Sequence, residues 1–471
     1  MHPSSRDPSL IAALRGLVGE KAVIDGPDRA PLLEEWRGRW QGETPLILAP
    51  GSTDELSRAM AYCHQNDIPM VPQGGNTGLV GGQIPHGEVL ISTRRMRTIR
   101  DVSPTNFTMT AEAGVLLADA QNAASSVSKM FPLSIGSEGS CTIGGVLSTN
   151  AGGIQVIRHG NARDLALGLE VVLPDGRIWN GLNNLRKNNV GYDLKHLFIG
   201  GEGTLGVISA AVLKLSARPH DEVTTLLAVP SAQAAVDLLS IAQDQSGGQV
   251  GSFELMNSGM VSLVTHHFPT PVPPPGEGAP YYVLVTFEAG QEGTLEPLVG
   301  KILEYAMDKG LVLDGTIAAS QAQTNALWAM RHHASEAMKR DGRYCVKCDI
   351  SVPINAIPSF LDKANTRILN DTPGARIIAF GHLGDGNIHY DVLGPFDDMT
   401  DAWKKKSTTT ERLVHDIATH HQGSISAEHG IGVLKKDELA ERQDATARSL
   451  MQAVKQAIDP KGLMNPGKLI A

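Results

Sequence analysis

Cysteine is scarce in this chain: there are four in 471 residues. A fold of this size is not stapled by so few, so the sequence suits a reducing compartment. Cys345 and Cys348 form one C-x-x-C, but a zinc ribbon needs a second pair, and Cys63 and Cys141 stand alone. In YCVKCDISV the alternation of apolar residues reads as a strand. Long apolar runs are missing too. No stretch approaches the roughly 18 apolar residues that cross a bilayer. LIAALRGLV near the N-terminus is short, broken by Arg15 and without a small-residue cleavage site, so it reads as a capped amphipathic helix stopped near Gly19 rather than a secretory signal. Basic charge is not in surplus: the net charge is −9, which argues against nucleic acid or an anionic membrane as main partner. These absences give the expectation of a soluble, cytoplasmic protein with no transmembrane segment. There is no Walker-type G-x-x-x-x-G-K-[ST] and no repeat period.

Glycine is abundant, with 50 residues, so the chain needs many tight turns and close backbone approaches. The length calls for two or three domains. Short β-like segments joined by glycine-rich connections run to about Arg218-Pro219. From Glu222 strands and helices alternate: EVTTLLAV, SAQAAVDLLSIAQD, YYVLVTFEA, TLEPLVGKILEYAMDKG, then one helix over QAQTNALWAMRHHASEAMKRDG and the strand YCVKCDISVP. That pattern predicts an α+β plan, an antiparallel sheet with its helices on one face. FPTPVPPPGEGAP (268–280) cannot be helix and reads as a surface loop. The expected division is 1–221, 222–425 and a C-terminal segment 426–471.

Two glycine-rich loops point to a phosphate-bearing cofactor. GGNTGLVGG places five glycines between Gly74 and Gly82, with Asn76 and Thr77 as side-chain donors, and SIGSEGSCTIGG (Ser134–Gly145) repeats the design. Only such loops let runs of backbone N–H groups approach a phosphate closely, and two of them suit a pyrophosphate. Gly201-x-Gly203-x-x-Gly206 matches the dinucleotide fingerprint, but the residues after it, GVISAAVLKLS, read as strand rather than helix, so NAD is rejected.

The second half carries a different chemistry. GHLGDGNIH holds His382 and His389 across a glycine turn, read as a β-hairpin, and AEHGIG holds Glu428 and His429. Two imidazoles and a carboxylate form an open ligand set for a divalent ion, with zinc the default and manganese, cobalt or iron left open. Glu428 completes that set, and His429 beside it is the candidate base. The opposing view is that these are ordinary histidines, since the chain has 16.

The ordered pieces VPQGGNTGLVGG, PLSIGSEGSCTIGGVLSTNAGG, GLEVVLPDG and FIGGEGTLGVIS resemble flavoenzymes of the vanillyl-alcohol oxidase/p-cresol methylhydroxylase type. AMRHHAS, VKCDISVP, GHLGDGNIH, AEHGIG and NPGK resemble, within that superfamily, the FAD-linked D-2-hydroxyacid dehydrogenases, D-2-hydroxyglutarate dehydrogenases above all. The resemblance runs over about residues 40–471. It implies that Pro72, Gly74, Gly75, Asn76, Thr77 and Gly78 cradle the FAD pyrophosphate together with Gly136, Ser137, Gly139, Ser140, Thr142, Gly144 and Gly145. Asn150, Gly152 and Gly153 would lie nearby, Gly206, Val207 and Ile208 would meet the flavin through backbone groups, and Asn465 and Lys468 would bring the C-terminus back to it. The first loop lacks the histidine to which some relatives tether FAD, so non-covalent FAD is expected.

The resemblance further implies a 2-hydroxy acid chelated by the metal, His429 taking its hydroxyl proton, and hydride leaving C2 for the flavin. Arg331 and Lys347 would anchor its carboxylate, with Ser335, one turn after Arg331, helping to hold the distal one. Relatives often carry Asn two residues after the second metal histidine; Asp391 stands here and puts 2-hydroxyglutarate in question against D-lactate, D-malate or glycolate. Electron-transfer flavoprotein, a quinone or a cytochrome would all fit as electron acceptor, and a homodimer is an expectation of the family alone. Two other readings are an ether-lipid synthase of the alkyl-dihydroxyacetonephosphate type, for which no lipid-facing feature stands out, and a non-catalytic FAD-carrying subunit of a larger complex.

Overall fold

The computed structural model describes residues 7–395 and 401–470. They fall into two compact units. Unit 1 comprises residues 1–152, 160–218 and 428–471; unit 2 comprises 153–159 and 219–427.

Unit 1 opens with the helix Pro8–Val18, capped by the Asp7 side chain and stopped at Gly19, whose φ of +78° no side-chain-bearing residue adopts readily. A small parallel sheet follows, with Met70–Gln73 and Ile47–Leu48 on either side of Val89–Ser92. Beside these in sequence, a five-stranded antiparallel sheet runs Ile99–Ser103, Thr108–Glu112, Val207–Lys214, Ala166–Val172, Ile178–Asn180. The strands Val207–Lys214 and Ala166–Val172 bury both faces and are mostly apolar, with Glu170 and Ser209 hydrogen-bonded to each other inside. The residues after the G-x-G-x-x-G are strand, Val207–Lys214, so that match is not a dinucleotide turn. The C-terminal segment completes unit 1: Met70 N–H donates to the Leu463 carbonyl and Asn465 N–H to the Met70 carbonyl.

Unit 2 is built on a seven-stranded sheet. Asp314–Ile317 is at one edge, followed by Asp221–Val229, Tyr281–Ala289, Val250–Asn257, Arg376–His382, Asn387–Leu393 and Cys345–Ser351, each pairing antiparallel with the next. Helices cover both faces, which corrects the expectation of one. Leu227, Phe253, Val285 and Ala379 pack under the helices Ala232–Ser246, Leu295–Asp308 and Ile357–Asp371. Leu226, Met256, Leu284 and Phe380 pack under Ser258–His267, Gln321–His332 and Ala334–Asp341. The reason is in the strands: LLAV and YVLVTF are apolar at odd and even positions alike, so neither face can be left in water. The single helix expected over 321–342 is two, ending at His332 and restarting at Ala334.

Candidate active site

In unit 1 the two glycine loops touch backbone to backbone. A Cβ on Gly75 would sit 2.9 Å from the Cys141 Cα and closer still to the Ser140 carbonyl oxygen; one on Gly74 would strike the Thr142 hydroxyl, and one on Gly144 would lie 2.6 Å from the Ala113 Cβ. Glycine is needed there for the loops to meet. Gly136 and Gly139 differ: nothing lies within 4 Å of a Cβ built on either, so this edge of the cradle has open space. Thr142 caps the short helix Ile143–Ser148 by accepting from Gly145 N–H. Ser137 and Ser140 shape the turn, the Ser137 carbonyl accepting from the N–H groups of Ser140 and Cys141.

Other members of the expected cofactor set are internal braces. Asn76 takes a left-handed conformation (φ +55°) and donates its amide to the carbonyls of Pro31 and Glu34, so its side-chain donors are spent inside the fold rather than on phosphate. Asn465, also left-handed, donates to the carbonyls of Gly82 and Glu202. Lys468 is buried 3.6 Å from the Glu88 carboxylate, and burial pulls its pKa below the ordinary lysine value. Asn150 accepts from Arg163 N–H. Pro72 lies in the strand Met70–Gln73, and Gly203 needs its φ of +70° and its missing Cβ to pass over that ring. Val207 and Ile208 pair with Val172 and Val171, while the strand on the other side pairs only from Ala210 onward. A buried, unpaired amide oxygen remains on Asn76 and on Asn465. These two acceptors fit hydroxyl or N–H donors of a ligand, and the open edge at Gly136 and Gly139 leaves room for one.

In unit 2 the β-ladder collects the second set. Residues directly opposite in an antiparallel pair project to the same face. Glu254 is opposite His382; Phe380, His389 and Asp349 form the next row; Ile378, Asp391 and Lys347 form the row after. All therefore project from one face of four adjacent strands, and Arg331 comes down on that face from the helix Gln321–His332. The hairpin turn between the histidines is a short 3₁₀ turn, Leu383–Asp385, closed by Gly386 at φ +87°.

The imidazole rings of His382 and His389 lie edge to face with centroids 5.8 Å apart. His382 Nδ1 is 2.5 Å from Glu254 Oε1, and His389 Nδ1 is 3.7 Å from Asp349 Oδ1. Each histidine thus turns Nδ1 toward a buried carboxylate, an arrangement common behind metal-ligating imidazoles. Arg331 donates from Nε to Glu254 Oε2 at 2.6 Å and places its guanidinium 4.6 Å from the Phe380 ring centroid. Burial alone would push the Glu254 carboxyl up, but the charges of His382 and Arg331 outweigh it and hold it at about 2. Lys347 Nζ lies 4.0 Å from Asp391 Oδ2.

Ser335 does not join this group. The helix carrying Arg331 stops at His332, and Ser335 is exposed on the next one while Arg331 is buried. The turn-after-turn spacing assumed one continuous helix. Cys345 and Cys348 are three apart on a strand and so face opposite ways, which removes them as a pair. Glu428 and His429 open the last segment of unit 1. The chain leaves unit 2 at Ala427, whose N–H donates to the Asp349 carbonyl, and Glu428 is the next residue. Within unit 1, Glu202 fixes the rest of that motif, accepting from Ile431 and Gly432 N–H at 2.7 Å each.

Sequence comparisons bear on both halves. The family described as FAD binding domain matches residues 44–181, and that described as FAD linked oxidases, C-terminal domain, matches 218–469. The mitochondrial D-2-hydroxyglutarate dehydrogenase of Bos taurus is 35% identical over 98% of this chain and 83% of its own length. The chain belongs to the FAD-linked oxidase family. Within it the Arabidopsis thaliana mitochondrial D-2-hydroxyglutarate dehydrogenase is 33% identical over 99% of the chain and 82% of its own length. The protein is an FAD-dependent oxidoreductase of the dehydrogenase branch. Solved structures of p-cresol methylhydroxylase with substrate bound (TM-score 0.75, 13% identity, 98% of this chain and 96% of that one) and of alkyldihydroxyacetonephosphate synthase (0.74, 19%, 99% and 87%) show the shared fold. The cytoplasmic expectation is overturned, because both relatives are named as mitochondrial. No helix among the described residues is long and apolar enough to cross a membrane.

Sequence reasoning missed Glu254, Asp349, Phe380 and Glu202 in this FAD-linked oxidase. The available signal was a lone Glu at an inward position of SFELMN and a lone Asp in VKCDISV. A carboxylate on the buried face of an apolar strand is costly unless it has a charged partner.

Proposed function

We propose that the protein oxidises a D-2-hydroxy acid to the 2-oxo acid, with D-2-hydroxyglutarate the leading substrate. The observation that carries this is the sheet face itself, where a histidine pair, each ring with Nδ1 turned to a buried carboxylate, adjoins a buried Arg331. A divalent ion, zinc by default, would be held by His382, His389 and Glu428, and non-covalent FAD by the two glycine loops. When bound, the ion supplies Lewis acidity toward the substrate hydroxyl, and FAD supplies the acceptor for the C2 hydrogen and its electron pair.

The chain's own residues do the rest. Arg331 uses Nε on Glu254, which leaves its terminal nitrogens to grip a carboxylate as a fork. Lys347 adds a point charge on the same face. His429 takes the hydroxyl proton, so that loss of the C2 hydrogen with two electrons leaves a neutral ketone. Ser335 has no part in this reading. Asp391 acts through Lys347: its carboxylate lies near the ammonium and offsets charge that a second substrate carboxylate would otherwise meet. That same observation favours a second reading, preference for the monocarboxylate D-lactate.

The test is steady-state turnover of flavin-loaded protein with a dye acceptor on D-2-hydroxyglutarate, D-malate and D-lactate, with and without chelator. Dicarboxylate preference, abolished by chelation and restored by zinc, is expected. Preference for D-lactate would make Asp391 the discriminator. No flavin reduction by any of the three with metal present would refute the hydroxyacid assignment.

A further inference from the structure

Glu254 has no role in the reading above, yet it is the most deeply buried charged group on the site face, with 0% exposure. It comes from Val250–Asn257, a strand that supplies none of the proposed ligands or clamps. Both of its oxygens are used, and on different partners: Oε1 meets His382 Nδ1 at 2.5 Å and Oε2 accepts from Arg331 Nε at 2.6 Å. One carboxylate therefore touches a metal-ligand candidate and the substrate clamp at once. We infer that Glu254 is a positioning residue that fixes His382 as an Nε2 metal ligand and aims the Arg331 fork, tying metal binding and substrate binding to one buried group. This rests on the proposed function.

The physical argument has three parts. An anionic carboxylate can only accept, so His382 carries a proton on Nδ1, and the neutral ring that would bind a metal presents its lone pair on Nε2. The Arg331 guanidinium has one Nε, and spending it on Glu254 while the plane lies against Phe380 leaves little freedom to the two terminal nitrogens. Finally, an anion this deeply buried persists only with a cation beside it, and Arg331 is that cation. His389 has a looser counterpart in Asp349 at 3.7 Å, and Asp349 is also held by the Asn387 amide at 3.0 Å. Glu254 touches both His382 and Arg331.

The experiment uses the full-length, flavin-loaded protein and zinc alone as probe. In Glu254→Gln the amide oxygen can still accept from His382, but the amide N–H then faces the Arg331 Nε–H. Zinc affinity, read by competition with a chelating dye, should fall about 10–100-fold, as for other partners behind metal ligands. At saturating zinc, KM for the hydroxy acid should rise more than kcat falls, with flavin content unchanged. Wild-type zinc affinity and KM in a flavin-loaded Glu254→Gln would overturn the inference, while His382→Ala abolishing zinc binding would leave the metal site itself standing. A wild-type protein that binds no zinc would sink the metal site and this inference with it. If Glu254→Gln does not fold, a crystal structure of the zinc-loaded wild type decides: zinc on His382 Nε2 supports the inference, and zinc on Nδ1 overturns it.

Discussion

The glycine loops allow a paired test that separates a glycine kept for the fold from one kept for the cofactor. Gly75→Ala adds a methyl 2.9 Å from the Cys141 Cα and the Ser140 carbonyl carbon, with the Ser140 oxygen closer still. Ordinary contact begins near 3.4 Å, so the Ser140 backbone must retreat by about half an ångström for the carbons alone. That backbone cannot yield freely, because Ser140 and Cys141 N–H both donate to the Ser137 carbonyl at 2.8 Å. The cost is that of overpacking, about 1–3 kcal/mol, and should show as a fall of several degrees in the melting temperature of flavin-free protein. Gly139→Ala meets nothing within 4 Å, and its φ is not left-handed. Flavin-free stability should stay within about 0.5 kcal/mol or rise slightly. If the cofactor fills that open space, the methyl competes with it, and FAD affinity should drop about tenfold or more, near 1.4 kcal/mol. Thermal melts of apo protein and fluorescence titration with FAD measure the two effects separately. An apo Gly75→Ala that melts like wild type, together with a Gly139→Ala that binds FAD like wild type, would refute the cradle argument.

Three further outcomes are expected. His429→Ala should lower turnover by about 10²–10⁴-fold with metal and flavin retained, and a loss within roughly tenfold would remove His429 as the base. Arg331→Lys should raise KM for the hydroxy acid about tenfold or more, since a lysine cannot bond Glu254 and fork a carboxylate together; an unchanged KM would show that the fork does not bind substrate. Burial would raise the Glu170 carboxyl, but Thr53, Arg100 and Ser209 bonds outweigh it and hold it below the usual range. A lowered folded pKa contributes stability that is full above about pH 4.5 and is lost as pH falls through the folded value. Arg100→Met should therefore cost about 2–3 kcal/mol near neutral pH and flatten the acid limb below about pH 4.5, measured by thermal melts; an unchanged acid limb would remove Arg100 as the cause.

What was legible in the sequence was local. The two glycine loops, the histidines on a glycine hairpin and the strand after the false dinucleotide fingerprint each fit in a window of a dozen residues, where spacing fixes geometry. What was not legible depends on register between distant segments. Glu254 precedes His382 by 128 residues and meets it only through the pairing of Val250–Asn257 with Arg376–His382. The one-face expectation failed because an alternating strand–helix pattern does not say to which side each helix returns. Ser335 was misplaced by a break at His333 that no proline or glycine marks. Asn76 showed a donor in the right loop but not the two carbonyls that claim it.

The order in which the chain is synthesised gives the split of unit 1 a consequence for its biogenesis. Residues 219–427 emerge from the ribosome as one stretch and make up nearly all of unit 2, while the first 218 residues wait for the segment from Glu428 onward. Until then the Met70 strand lacks the bonds from Leu463 and Asn465, and the Gly82 and Glu202 carbonyls lack the Asn465 amide. The cofactor-binding half is thus begun before residues 219–427 and completed after them, so a nascent chain halted before residue 463 should hold flavin poorly however well its remainder has folded.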